Sequence, residues 1–130
     1  MTRKVSSGGP YEQSNGYSRA VAAGDFIFVS GCTSMAGGEL VHAGDAGAQA
    51  RQAIANIATA LESLGAGLQD VVRTRMFVAD MSRWEEIGRA HGEAFAGIMP
   101  ATSLIGVAGL VDPRMLVEIE AVAYKPGIGQ

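Results

Sequence analysis

Asp45-Ala46-Gly47-Ala48-Gln49-Ala50-Arg51-Gln52-Ala53-Ile54-Ala55-Asn56-Ile57-Ala58-Thr59-Ala60-Leu61-Glu62-Ser63-Leu64-Gly65 is followed after four residues by Asp70-Val71-Val72-Arg73-Thr74-Arg75-Met76-Phe77-Val78, and this pair of segments decides the fold class. In the first, Ala50, Ile54, Ile57, Leu61 and Leu64 recur at steps of four and three, which places them on one face of a helix. Asp45 stands where a side chain must accept the first free amides, and Gly65 where a left-handed residue ends the helix. The second segment is rich in β-branched residues and alternates, with Val71, Arg73, Arg75 and Phe77 on one face and Val72, Thr74, Met76 and Val78 on the other. A helix running into a strand in so short a span implies a sheet with helices laid on it.

Working outward, Tyr17 to Ala22 and Phe26 to Ser30 read as two strands of a hairpin turning at Gly24-Asp25. Thr2 to Gly16, rich in Ser and Gly around Pro10, reads as an irregular lead-in occupying residues 1–16. Gly37-Gly38 and Gly44 bracket Leu40-Val41-His42, which fits a short strand or a loop equally. Beyond the central pair, Ser82-Arg83-Trp84-Glu85 has the form of a capping box. It opens a second helix whose apolar face carries Trp84, Ile87, His91 and Phe95 and which closes at Gly97 and Pro100. Ala101 to Leu110 and Leu116 to Tyr124 are strands joined through Val111-Asp112-Pro113-Arg114. The order β-β-α-β-α-β-β in 130 residues describes one α+β domain, 1–130, with a mixed sheet and two helices on one face. Residues of both parities are apolar in Leu104 to Leu110, so the other face also needs cover. One chain offers no second layer, and a closed cyclic assembly of copies supplies it.

Composition narrows the partners. The net charge is −3 and the isoelectric point about 5.3, without the clustered cations that nucleic acid or an anionic membrane requires. The single Cys32 cannot form an intrachain disulfide, and Cys32, His42 and His91 are too scattered for a zinc site, so neither metal nor oxidising compartment is expected. Met1-Thr2-Arg3-Lys4 has no apolar run behind it, and Leu104 to Val111 is far too short to span a bilayer. These features fit a cytoplasmic protein.

Among polar residues, Val117-Glu118-Ile119-Glu120 is the most unusual, because alternation sets both carboxylates on one face about 6.8 Å apart. Such a pair can supply a base of raised pKa or a cation site, or can form a solvent-facing stripe or an ion pair with Arg73 or Arg75. His91 on an apolar helix face serves either as an acid–base group or, more simply, as a packed residue. Cys32, with no Lys or His near it in sequence, reads as an inert thiol more readily than as a nucleophile. Tyr17 and Ser30 end the two hairpin strands and offer hydroxyls to a ligand or merely cap them. No phosphate-binding glycine motif in a strand-to-helix context is present.

Taken together, Phe28-Val29-Ser30-Gly31, Ala48-Gln49-Ala50-Arg51-Gln52, Phe77-Val78-Ala79-Asp80, Phe95, Pro100-Ala101-Thr102-Ser103 and Val117-Glu118-Ile119-Glu120-Ala121 resemble the Rid family, also called the YjgF-type or L-PSP endoribonuclease family. The resemblance runs from Tyr17 to Tyr124. It implies a homotrimer of chorismate-mutase-like α+β subunits. In the family's best-studied branch, clefts between subunits hydrolyse enamine or imine products to ketoacids and ammonia without metal or cofactor. There a Tyr, a Ser, an Arg that pairs the substrate carboxylate and a Glu that positions water line the cleft. Tyr17, Ser30 and Glu120 match three of these. The branch's Pro-Ala-Arg-Ser is here Pro100-Ala101-Thr102-Ser103, and Thr102 cannot form a bidentate charged contact. Losing it removes charged hydrogen bonds of roughly 1.5–3 kcal/mol each. Gly88, His91 and Cys32 also stand where the branch tends to have Asn, Tyr and Gln, which marks a divergent subgroup.

The resulting expectation is a homotrimer that binds a small metabolite in a Tyr17–Thr102–Glu120 cleft, with Cys32, His91 and Arg75 beside it. Glu120 would position the water that attacks a C=N bond. The alternative is a non-catalytic binding or interaction protein on the same scaffold, favoured by Thr102, with ribonuclease activity a distant third.

Overall fold

The computed structural model describes residues 2–130. Its six-stranded sheet has the order β1 (Thr2–Val5), β2 (Ala20–Ala23), β3 (Phe26–Cys32), β8 (Val117–Tyr124), β6 (Val71–Val78) and β7 (Ala101–Gly106). All neighbours are antiparallel except β6 and β7. A short helix α1 (Glu12–Asn15) precedes β2, and β4 (Met35–Ala36) pairs with β5 (Glu39–Leu40) as a separate hairpin. The helices α2 (Ala46–Leu64) and α3 (Trp84–Ala94) pack against one another, and α2 lies on β3 and β8. The α+β architecture read from the sequence holds, enlarged by an edge strand, a short helix and a hairpin.

Helix α2 forms as its pattern requires. The Ala48 amide donates to the Asp45 carboxylate at 3.0 Å, and Gly65 adopts a left-handed φ of 94°. Ala50, Ile54, Ile57, Leu61 and Leu64 are all buried. They meet Ile27, Val29, Ile119, Ala121 and Ala123 from the sheet, forming the core. The fully buried Gln49 is the one polar residue of this helix face that the core surrounds. Its amide nitrogen donates to the carbonyls of His42 at 3.2 Å and Arg114 at 2.9 Å, and its oxygen accepts from the Leu116 amide at 2.8 Å. One side chain thus ties the loop before α2 to the entry of β8.

Several expectations are corrected. The lead-in is not irregular throughout: Thr2–Val5 pairs with Ala20–Ala23 because β2 would otherwise leave a row of amides and carbonyls open. Arg3 fixes this strand by donating to the carbonyls of Ile128 at 2.8 Å and Leu64 at 3.3 Å. The segment around Leu40 is a hairpin turning at Gly37-Gly38, both with positive φ as a two-residue turn demands. A register shift between Val71 and Arg73 turns Val71 into the core and leaves Val72 exposed, the reverse of simple alternation. Ser82 does not cap α3. Asp80 accepts from the Ser82 amide at 3.0 Å and caps a 3-10 turn, Met81–Arg83, that leads into the helix. Ile87, His91 and Phe95 are buried as expected, but Trp84 is half-exposed. The strand expected over Ala101 to Leu110 ends at Gly106. It does not form a hairpin with its successor, because β8 inserts between β3 and β6 while β7 takes the edge.

The sheet face away from the helices stays open. Phe26, Phe28, Tyr124 and Ile105 are exposed on it, with the Phe26 and Tyr124 rings in edge contact at 5.2 Å. No helix is long and apolar enough to cross a membrane.

Candidate functional site

The extended segment before β2 sets two side chains on the same side, because Tyr17 and Arg19 are two residues apart. The Arg19 guanidinium lies over the Tyr17 ring, 5.6 Å from its centre. Its Nη1 donates to the carbonyls of Gly31 at 2.6 Å and Ser30 at 3.2 Å and reaches Cys32 Sγ at 3.4 Å. Behind it, the buried Glu12 carboxylate lies 3.7 Å from Arg19 Nε. Glu12 accepts from the Ser6 hydroxyl at 2.8 Å, the Ser7 amide at 3.2 Å, the Gly9 amide at 3.3 Å and the Ser7 hydroxyl. Burial alone would raise the Glu12 pKa, but the hydrogen bonds from Ser7, Ser6 and Gly9 prevail and hold it below the usual carboxylate value. Arg19 is therefore neutralised by Glu12 and held by backbone carbonyls.

Between β3 and β8 the register shifts around Ser30-Gly31, and the Glu118 side chain lies against the Gly31 backbone. The Glu118 carboxylate has neither ion-pair nor hydrogen-bond partner among the described residues. Burial, and then the charge of Glu120, push its pKa up, with Arg19 opposing. A cavity of about 380 Å³ opens here, lined by Tyr17, Arg19, Cys32, Asn56, Met115 and Glu118 among others. Burial also raises the Cys32 thiol, with Arg19 opposing, in keeping with the inert thiol read from the sequence.

The residues singled out from the sequence fall into three groups. Tyr17 and Cys32 share this cavity. Ser30 faces a separate open depression with Tyr17, Ser18 and Val21, and its hydroxyl donates to the Ser18 carbonyl at 2.7 Å. Glu120 stands on the open sheet face beside Arg75, whose Nε donates to it at 2.5 Å across the β6–β8 ladder. Arg73 donates to the Ser103 hydroxyl at 3.3 Å. Thr102 and His91 lie on the helix side, linked through Thr74, whose hydroxyl is 2.8 Å from both Thr102 Oγ1 and His91 Nε2. Burial lowers the His91 pKa.

A Tyr17–Thr102–Glu120 cleft is thus not assembled within one chain. Thr102 is on β7, three strand spacings from β3, which at about 4.8 Å each is roughly 14 Å. What sequence reasoning missed is Arg19, legible from its i, i+2 spacing with Tyr17, and Glu12, which carried no signal in a Ser- and Gly-rich loop. The choice of Glu118 over Glu120 as the unpaired carboxylate depends on the bulge and on Arg75, both products of tertiary pairing.

Comparison with known proteins identifies the family. A family model described as Endoribonuclease L-PSP matches residues 10–125. A protein of Streptomyces coelicolor is 40% identical over 126 residues, covering 97% of this chain and 94% of that one. The 3-aminoacrylate deaminase RutC of Acinetobacter baylyi is 34% identical over 109 residues, covering 83% and 86%. The crystal structure of a YjgF/YER057c/UK114 family member from Mycobacterium tuberculosis superposes with a TM-score of 0.87 at 46% identity, covering 95% and 99%. With the hairpin, the α2 motif and the β8 carboxylates all inside the matched span, the chain belongs to the endoribonuclease L-PSP family, the family also named YjgF.

Proposed function

We propose that this protein hydrolyses the C=N bond of a small, reactive enamine or imine in the Tyr17–Glu118 cavity. The observation that carries the reading is the unpaired Glu118 carboxylate, its pKa raised by burial, inside a cavity that also holds the Tyr17 ring and hydroxyl. A carboxylate shifted toward neutrality both accepts a proton from water and returns one, the requirement for this reaction. In its anionic form Glu118 orients water and takes its proton as the oxygen attacks the imine carbon. In its neutral form it returns that proton to nitrogen, so that the carbinolamine collapses to a carbonyl compound and ammonia. An enamine first takes a proton from Glu118 at carbon. Glu120, expected from the resemblance to position the water, is tied to Arg75 and keeps a supporting electrostatic role. The deaminase activity named for the Acinetobacter baylyi relative supports the same chemistry.

The open face bearing Phe26, Phe28, Tyr124 and Ile105 supports a homotrimer in which a neighbouring copy closes the cavity. The reducing cytoplasm is the compartment proposed, with Cys32 free and buried. Neutral Thr102 favours a second reading, ligand binding without turnover, on the same site. Ribonuclease chemistry has little support, since an unpaired carboxylate repels phosphate and His91 is buried against Thr74. The test follows freshly generated imines, from an amino-acid oxidase and from an amine oxidase, by semicarbazide trapping. Hydrolysis reduces the trapped fraction. No acceleration of either imine over buffer leaves the binding reading.

A further inference from the structure

A carboxylate-bearing imine needs a free cation in its site, and the charges around this cavity are arranged against one. Of the described residues that line it, Arg19 and Glu118 alone are charged. Arg19 is paired in charge with Glu12 at 3.7 Å, its Nη1 donates to the Ser30 and Gly31 carbonyls, and its Nη2 reaches the Tyr17 hydroxyl at 3.5 Å. Outside the lining, Lys4 stands in the separate depression with Tyr17 and Glu12, Arg75 is paired with Glu120 at 2.5 Å, and Arg73 donates to the Ser103 hydroxyl at 3.3 Å. Thr102, expected at the cleft from the family resemblance, is neutral. One guanidinium among two carboxylates, Glu12 and Glu118, leaves one negative charge unanswered, and it projects from Glu118 into the cavity. A ligand carboxylate entering there would meet like charge in a partly desolvated site, whereas a protonated nitrogen would meet its counter-ion.

We propose that the cavity takes a small, carboxylate-free imine bound as its cation, the oxidation product of a primary amine rather than of an amino acid. This rests on the hydrolytic reading above and adds the substrate class. The step is R–CH=NH2+ plus water giving R–CHO plus NH4+. A C–O bond forms from water, the C–N bond breaks, and the water protons pass through Glu118 to the leaving nitrogen. No electrons are exchanged. The reaction that supplies the substrate must be an amine oxidation, and the one that consumes the product must act on an aldehyde. A volume of about 380 Å³, at the low end of the roughly 300–1,000 Å³ of ligand pockets, suits a short alkyl chain.

Two measurements on the full protein test the assignment. In the first, propylammonium and propionate, similar in size and opposite in charge, are titrated calorimetrically. Propylammonium is expected to bind at least tenfold more tightly, and Glu118→Gln and Glu118→Ala each to abolish that preference. Tighter binding of propionate, or saturable binding of neither, overturns the proposal. In the second, the imine of butylamine made by an amine oxidase is compared with the imine of norvaline made by an amino-acid oxidase. The amine-derived imine is expected to be hydrolysed at least tenfold faster. Preference for the norvaline imine overturns the substrate class while leaving imine hydrolysis intact. Acceleration of neither overturns the hydrolytic reading, and the charge preference is then decided by the titration.

Discussion

Glu118 and Gly31 are in contact such that a methyl group on the Gly31 Cα would stand 2.6 Å from the Glu118 carboxyl carbon. The glycine backbone is what lets the carboxylate lie flat against the end of β3 and face the cavity. The Gly31 φ is not in the left-handed region, so alanine is sterically allowed by the backbone itself.

Gly31→Ala should therefore displace a carboxylate without unfolding the protein. The obstructed group is the far end of a flexible side chain, which swings away at a cost of about 1 kcal/mol or less, within the range of mild substitutions. The expected result is a near-unchanged midpoint of urea unfolding with at least a tenfold loss of imine hydrolysis. A fully active Gly31→Ala protein would show that the Glu118 position is irrelevant to turnover.

Glu118→Gln should stabilise the protein at neutral pH. The folded-state pKa of Glu118 lies above its ordinary value, chiefly through burial, so the folded protein binds the proton more tightly than the unfolded chain. Stability is then lost as pH rises from about 4.5 through the folded pKa, and the glutamine removes that loss. The expected outcome is a higher Tm for the variant at pH 7.5 and parity at pH 4, read by calorimetry. Stability would be gained at the place where activity is lost, as buried functional charges lead one to expect.

Gln49 is the polar residue on which the core depends most. Its replacement by Leu keeps much of the volume but removes the partner of the Leu116 amide and of the His42 and Arg114 carbonyls, all partly buried bonds. At about 1–3 kcal/mol for an unsatisfied buried group, and less where water reaches the carbonyls, a loss of roughly 1–3 kcal/mol is expected in urea unfolding. A loss below ~1 kcal/mol would mean that water reaches these groups.

The residues that were legible in the sequence and those that were not differ in where their information lies. Helix α2 carries its own apolar stripe, its Asp45 cap and its Gly65 stop, and all three appear as read. Strand β1 has no apolar pattern and exists through the free edge of β2. Val71 and Val72 exchange faces because a register shift adds a residue that alternation does not count. Tyr17 and Cys32 line one cavity, whereas the pairing of Arg19 with Glu12 and of Glu120 with Arg75 joins residues through tertiary structure that no local pattern marks.

His91 makes the fold acid-sensitive in a window of its own. Burial lowers its folded-state pKa below the ordinary 6.5, so the unfolded chain binds the extra proton more readily. Stability is complete above about pH 6.5 and falls as pH drops toward the folded pKa. Because Glu118 acts in the opposite sense, the readout is the difference: His91→Gln, which can still reach the Thr74 hydroxyl, should gain Tm relative to wild type between pH 7.5 and 5.5. An unchanged slope in the variant would place the acid-sensitive group elsewhere.

Glu120→Gln separates the two carboxylates of β8. Glu120 and Arg75 are about a third and a half exposed at the side chain, and an ion pair so placed contributes roughly 0–1 kcal/mol. Removing the charge should hardly change stability at moderate salt. Its effect on Glu118 is the informative one, because the negative charge of Glu120 helps to raise the Glu118 pKa. With Glu120→Gln, the acidic limb of the pH–rate profile should shift to lower pH while the maximal rate stays within about threefold of wild type, a change of less than ~1 kcal/mol in barrier. Glu118→Gln should instead remove the rate altogether. If Glu120→Gln were inactive and Glu118→Gln active, water positioning would belong to Glu120 and the ion pair with Arg75 would have to open during turnover.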